Sequence, residues 1–269
     1  MNQIINTVSA ALILAAGTAA ACAQGAPPEA LSELAPGGKL RAAINLTNAV
    51  LAQENPSGDP KGVSVDLSRE LARRLGVPVE FVIYRGAGTV FADAKSGKWN
   101  VAFFAIEPVR AAEVDFTAPY VIIEGGYAVP KDSPIKAVAD ADRDGVRIAV
   151  GQGSAYDLYL TRTLKHAKLV RATAGDGSYF RIFLADKLEA VAGVKPIVAA
   201  WAKDKPDLRV VPGAFQEIRQ AMGTPKGRSE ATLRYLRGFV EEMKASGFVA
   251  DALKRSNQPD AAVAPTEKM

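Results

Sequence analysis

Short apolar runs of strand length alternate with helix-periodic segments through both halves of the chain. That alternation narrows the possible folds more than any other feature. The runs that read as strands are Lys39–Asn45, Pro78–Tyr84, Val101–Ile106, Val146–Val150, Lys168–Arg171, Glu189–Val194 and Asp207–Val211. Between them, Leu67, Leu71 and Leu75 recur every fourth residue and are stopped by Gly76 in a C′ position. Ala155–Leu164 and Ser178–Ala185 also read as helices. Ser229–Ser246 puts Leu233, Leu236, Phe239, Val240 and Met243 on one face before Gly247. This pattern predicts an α/β fold of two lobes, each a mixed β-sheet flanked by helices, with no clean repeat to suggest a solenoid.

Residues 1–23 carry no charged side chain, and Ala10–Ala21 is an almost unbroken apolar run too short to span a bilayer as a helix. Ala21-Cys22-Ala23 supplies small residues of the kind signal peptidase reads, so residues 1–23 are expected to be a signal peptide cleaved before Gln24. A lipid anchor on Cys22 is the other reading, although Ala19-Ala20-Ala21 lacks the usual leucine. The expected location is the periplasm. Cys22 is the sole cysteine of the 269 residues, so the mature chain would have no disulfide to rely on. Its length makes one unnecessary. The net charge of +4 comes without any run of five like charges, which gives nucleic-acid binding little support. Gln24–Gly38 reads as a loose leader, and residues 257–269 as a disordered tail.

The chemistry-bearing stretch is Ser96–Tyr120, SGKWNVAFFAIEPVRAAEVDFTAPY. Its strand is stopped by Pro108, and Arg110 follows just past the strand's carboxyl end, where α/β folds place their ligands. A guanidinium there suits a bidentate carboxylate. The plainer reading of the same spacing is a surface Arg paired with Glu113 on one helix face. Gly151-Gln152-Gly153-Ser154 joins a strand to a helix N-terminus, where unpaired N–H groups and the positive dipole end favour an anion. Ser154 is equally explained as an N-cap. Arg85-Gly86-Ala87-Gly88 lacks the Lys-Ser/Thr of a phosphate loop and reads as a flexible turn. His166 sits in a polar helix-end turn. No Ser/His/Asp set, paired-carboxylate spacing or metal-ligand cluster is visible, and no cofactor is implied.

Gly62-Val63-Ser64-Val65-Asp66-Leu67, then Ser96-Gly97-Lys98, Arg110, VDFTAPY and Lys131-Asp132-Ser133-Pro134 stand in one order and at one spacing. In these motifs the chain resembles the family 3 solute-binding proteins of ABC transporters, the polar amino-acid type, over roughly Gly38 to Lys254. The resemblance implies a type II periplasmic-binding fold whose lobes are joined by two hinge strands, Val121–Val129 with Gly125-Gly126 and the return Glu217–Thr224. The implied division is 24–127 for the first part of lobe 1, 128–217 for lobe 2 and 218–256 for the return to lobe 1. It also implies that a small anionic or zwitterionic ligand closes the cleft, and that the closed form, expected as a monomer, docks on an ABC permease. Arg110 and the Gly153–Ser154 turn would then hold the ligand's carboxylate from opposite lobes.

The chain departs from the family pattern at several expected ligand-binding positions. Asn48 lies in a loop that normally offers an aromatic. Ala105 and Glu107 stand where hydroxyl residues are usual. Val194, followed by Lys195, replaces the acid that pairs with an α-ammonium. Tyr84, at a strand end, completes the expected set. Either Glu107 has taken over the cation contact, or the ligand is a plain carboxylate with Lys195 as a second anion contact. Glu107 paired with Arg110 and a solvated Lys195 remain as structural alternatives. Relatives on this fold include prephenate and arogenate dehydratases, and that enzymatic alternative would rest on Glu107 as acid. A membrane-receptor sensor would need a transmembrane segment after the last helix, and none is visible.

Overall fold

A computed structural model of the chain describes residues 26–173, 178–258 and 261–267. The expected signal peptide, with Cys22, lies outside the described residues. The chain opens with helix α1 (Pro28–Leu34), where the sequence suggested a loose leader. Pro28 fits the first helical turn, Ala30 and Leu34 are buried, and Glu33 accepts the Ser229 N–H at 3.0 Å. Strand β1 (Leu40–Asn45) follows, then the short pair β2 (Gln53–Glu54) and β3 (Pro60–Lys61), helix α2 (Val63–Leu75) and β4 (Val79–Tyr84). Helix α3 (Ala87–Ala92), strand β5 (Val101–Ala105) and the single turn α4 (Pro108–Ala111) complete this part.

The long strand β6 (Val114–Pro130) then crosses into the second lobe. That lobe contains β7 (Arg147–Gly151), α5 (Ala155–Thr163), β8 (Lys168–Ala172), α6 (Ser178–Ala185), β9 (Ala190–Val194), α7 (Lys195–Ala202) and β10 (Leu208–Val210). Strand β11 (Gln216–Pro225) returns, and α8 (Glu230–Ala245), α9 (Phe248–Arg255) and β12 (Ala262–Val263) end the fold. Helix α8 follows from its stripe: Leu236, Phe239, Val240 and Met243 are buried, and Ser229 caps its start by accepting the Thr232 N–H.

One continuous sheet runs β4-β1-β5-β11-β6-β9-β7-β8. The two lobes are its two ends. β1, β4 and β5 are parallel in the first, β7, β8 and β9 parallel in the second, and antiparallel β6 and β11 join them. β6 pairs with β11 from Val114 to Gly125 and with β9 from Gly125 to Ala128, so the switch of partner falls on the glycine pair. Neither Gly125 nor Gly126 has a positive φ. Their small size serves close packing instead, since a Cβ on Gly125 would lie 2.6 Å from the Phe215 ring.

The tail is not loose where it is described. Ala262 and Val263 pair with Ile122 and Val121, and Ala264 is buried and donates to the Tyr120 carbonyl at 3.1 Å. Lys244 holds the Pro265 carbonyl at 2.8 Å. No described helix is long and apolar enough to cross a membrane.

Candidate functional site

The carboxyl ends of β5 and β7 face each other across the gap between the lobes, as parallel strands flanked by helices dispose them. Between them lies a cavity of about 70 Å³. Its first-lobe wall includes Asn45 at the end of β1, Asn48 in the loop that follows, Phe103 to Ala105 on β5, and Arg110. The second lobe supplies Gln152, Ser154, Tyr156, Tyr179 and Val194, and Ile218 and Gln220 of β11 form the floor.

Arg110 is fully buried. Pro108 ends β5 and starts α4, and this turn swings the guanidinium back under the strand end. Nη1 donates to the Ala105 carbonyl at 2.9 Å, and Nη2 crosses the cleft to the Gly153 carbonyl at 2.9 Å. Phe104 lies beneath, its ring centre 5.3 Å from the guanidinium carbon. The buried Nε has no protein partner. Burial pushes this guanidinium down to about 10, only partly opposed by the charge of Glu107, so it remains cationic at neutral pH. Glu113 does not pair with it and instead binds Lys95 at 2.6 Å. Arg110 is thus a buried cation with a donor to spare among the residues that line the cavity, chemistry that suits an anion.

Glu107 does not reach the cavity. It is also buried, but one carboxylate oxygen accepts Arg162 Nη1 from α5 at 2.5 Å and the other accepts Gln216 Nε2 at 2.9 Å. Its ion-pair partner is therefore Arg162 and not Arg110, and it is not among the residues that line the cavity. Tyr84 is likewise outside, its hydroxyl donating to Asp93 at 2.9 Å. Lys195 begins α7 and points to the surface, where it binds Glu124 at 2.7 Å. Of the positions expected from sequence, Arg110, Ala105, Asn48, Ser154 and Val194 do line the cavity.

The glycine turn differs from a simple anion cradle. The Gly153 N–H donates to Asp157 at 2.8 Å, and the Asp157 N–H donates to the Ser154 hydroxyl at 3.1 Å, a reciprocal cap. The Ser154 N–H goes to the Gly151 carbonyl. What remains for a ligand is the first helical turn, Ala155 and Tyr156, whose N–H groups have no intrahelical acceptor. Gly153, at φ +70°, lies against Gly88 of α3: a Cβ on Gly153 would sit 2.8 Å from the Gly88 Cα. The turn thus packs backbone to backbone across the cleft, and the lobes are closed on one another.

Sequence reasoning missed Gln220, Tyr156, Tyr179 and Arg162. Gln220 sits opposite Ala105 in the sheet, nearly fully buried, with its Oε1 unpartnered. Asn48 Oδ1 is unpartnered as well. Burial raises both tyrosine hydroxyls above their ordinary range, so they stay protonated at neutral pH. Among the described residues no group of His, Cys, Asp and Glu is placed to hold a metal.

This geometry can be set beside known proteins. The profile of bacterial extracellular solute-binding proteins, family 3, matches residues 40–256. The chain belongs to this family. No curated protein matches it. Among solved structures, a cysteine-binding protein from Campylobacter jejuni is similar at TM-score 0.74 and 22% identity, over 87% of this chain and 99% of that one. A mutant of ArgBP from T. maritima gives TM-score 0.72 and 22% identity over 85% and 99%. An ancestral amino acid-binding protein, described as a precursor of cyclohexadienyl dehydratase, gives TM-score 0.70 and 24% identity over 84% and 97%. At these identities the likeness shows the two-lobed fold shared across family 3. The ligand of this family member has to be argued from its own cavity.

Proposed function

We propose that this family 3 protein is an extracytoplasmic binding protein that captures an amino acid or a related small carboxylate between its lobes and delivers it to an ABC permease. One observation carries the reading: Arg110 is a fully buried cation that lines the interlobe cavity with its Nε unpartnered. Such a group is costly unless an anion meets it, and the cost falls when a ligand carboxylate arrives. Neighbours on the same fold bind arginine and cysteine by their descriptions, which supports this class. The lobes, divided near residues 127 and 217, would hinge about β6 and β11. Ligand favours closure only through contacts it makes better in the closed state, such as those reaching both Arg110 and the α5 turn. The exported, periplasmic, monomeric form is the one in which this function makes sense.

The test is calorimetric titration of Arg110→Ala with the ligand that wild type binds. The expected loss is on the order of 2–5 kcal/mol, as for truncating one partner of a buried charge pair. Unchanged affinity in a folded mutant would remove the basis of the assignment. A dehydratase needs a free acid in the cavity, whereas Glu107 is bound on both oxygens. Incubation with prephenate is therefore expected to give no turnover.

A further inference from the structure

We infer that the ligand of this cavity is a small hydroxy-carboxylate without an amino group. The inference rests on the carboxylate reading of Arg110 and narrows it by counting charge. Among the described residues that line the cavity there is no aspartate or glutamate. Among the described residues, two buried acids on the elements around it are already paired with arginines, Glu107 with Arg162 at 2.5 Å and Asp157 with Arg171 at 2.9 Å. The remaining lining cation, Arg85, stands at the rim and binds Glu54 at 3.2 Å.

Among the described lining residues, a ligand carboxylate against Arg110 brings the buried charge to zero. Adding an ammonium returns it to plus one in a space walled by Phe103, Phe104, Val194, Ile197 and Ile218. An ion stripped of water without a counter-charge is strongly disfavoured, and the nearby guanidinium repels it further. The unmet polar atoms say what replaces it. Asn48 Oδ1 and Gln220 Oε1 are buried acceptors with no protein donor, and both residues are among those lining the cavity. A neutral donor on the ligand satisfies one of them without adding charge, and a hydroxyl, with its single O–H, is the smallest such donor.

Matched trios that share one side chain separate the possibilities: lactate, alanine and propionate; 2-hydroxyisovalerate, valine and isovalerate; 3-phenyllactate, phenylalanine and 3-phenylpropionate. Thermal shift followed by calorimetry on wild type ranks them. The expected order in the trio that fits is hydroxy acid first, the unsubstituted acid about tenfold weaker, and the amino acid at least about a hundredfold weaker than the hydroxy acid. Amino acids binding tighter than their hydroxy counterparts overturn the inference while leaving the carboxylate reading intact. Unsubstituted acids that bind as well as hydroxy acids overturn the hydroxyl assignment. If no member of any trio binds the folded protein at millimolar concentration, the carboxylate reading itself fails. Asn48→Asp supplies the missing counter-charge at nearly constant shape and is expected to reverse the preference toward the amino acid. A folded variant with unchanged preference counts against the charge argument.

Discussion

Glu107 and Arg110 stand three residues apart, are both buried, and have been treated in opposite ways. The acid has both oxygens bonded by side chains from the other lobe and the return strand; the base spends its Nη groups on two backbone carbonyls and keeps a buried, unpartnered Nε. One α4 turn thus separates a charge met by side-chain partners from one left with an unpartnered donor. Burial alone does not mark a ligand-binding residue. The informative property is burial without a partner, because only that leaves free energy for a ligand to recover.

The strongest way to break this comparison is to strip the acid of its partner. Arg162→Met leaves the Glu107 carboxylate buried and half-satisfied, a situation costing about 3–5 kcal/mol where it cannot relax. Here it can relax, because Arg162 comes from the opposite lobe and is 43% exposed, so opening the cleft rehydrates Glu107. The expected cost to closure is therefore smaller, about 1–3 kcal/mol. It should appear as weaker binding with Arg110 intact and as a larger radius of gyration in X-ray scattering of the ligand-free protein. A double-mutant cycle with Glu107→Gln should show coupling above about 0.5 kcal/mol. Additive mutations would mean the pair does not hold the lobes together.

The two charges were not equally legible in sequence. Arg110 stands one short turn past a buried strand, a position that spacing alone leaves open to a surface pair with Glu113 and that the family resemblance weights toward a ligand; Pro108 explains why the turn is there. The partner of Glu107 could not be read, because an Arg on the polar face of α5 looks solvated until a second lobe is folded against it. Gln220 failed for a related reason. A glutamine inside a strand suggests the exposed face of a half-buried sheet, yet β11 lies between β5 and β6 and buries it. Local signals were also outweighed at both termini. Residues 26–38 and 261–267 have the composition of loose segments, but two buried apolar contacts in α1 and two paired residues in β12 suffice to dock them once a surface exists. Helix α7 escaped notice because Lys195-Pro196 follows β9 without a loop, with Pro at the helix start.

A second perturbation acts on backbone rather than charge. Gly88 meets the Gly153 turn so closely that an added Cβ would lie 2.9 Å from the Gln152 carbonyl oxygen. Gly88→Val pushes rigid backbone apart across the cleft, and overpacking of this kind costs roughly 1–3 kcal/mol. The effect is confined to the closed state. Ligand affinity should fall by about tenfold or more while the ligand-free melting temperature stays within a degree or two. A melting temperature that falls in step with affinity would show that the contact belongs to the fold as a whole and not to closure.

The smallest effect sharpens the contrast with an ion network at the surface. Arg74 of α2 bonds both oxygens of Glu242 on α8 at 2.7 Å and also holds Glu70, itself paired with Arg73. The hydrogen bond from Arg73, then that from Arg74, outweighs the opposing effect of burial and holds the Glu70 carboxyl down to about 2. A carboxylate whose folded pKa lies below its ordinary 4.5 contributes stability above that value and loses it as the pH falls toward 2. Stability should therefore slope downward over that acid window, and Glu70→Gln should flatten the slope. Glu242→Gln breaks the link between helices where Glu242 is more than half exposed, so about 0.5–1 kcal/mol is expected, shrinking at 1 M salt. The Glu107–Arg162 pair, with its acid out of water, should keep most of its coupling at the same salt. Equal salt sensitivity in the two networks would show that Glu107 is hydrated in solution, and the distinction between an occupied and a receptive buried charge would then rest on Arg110 alone.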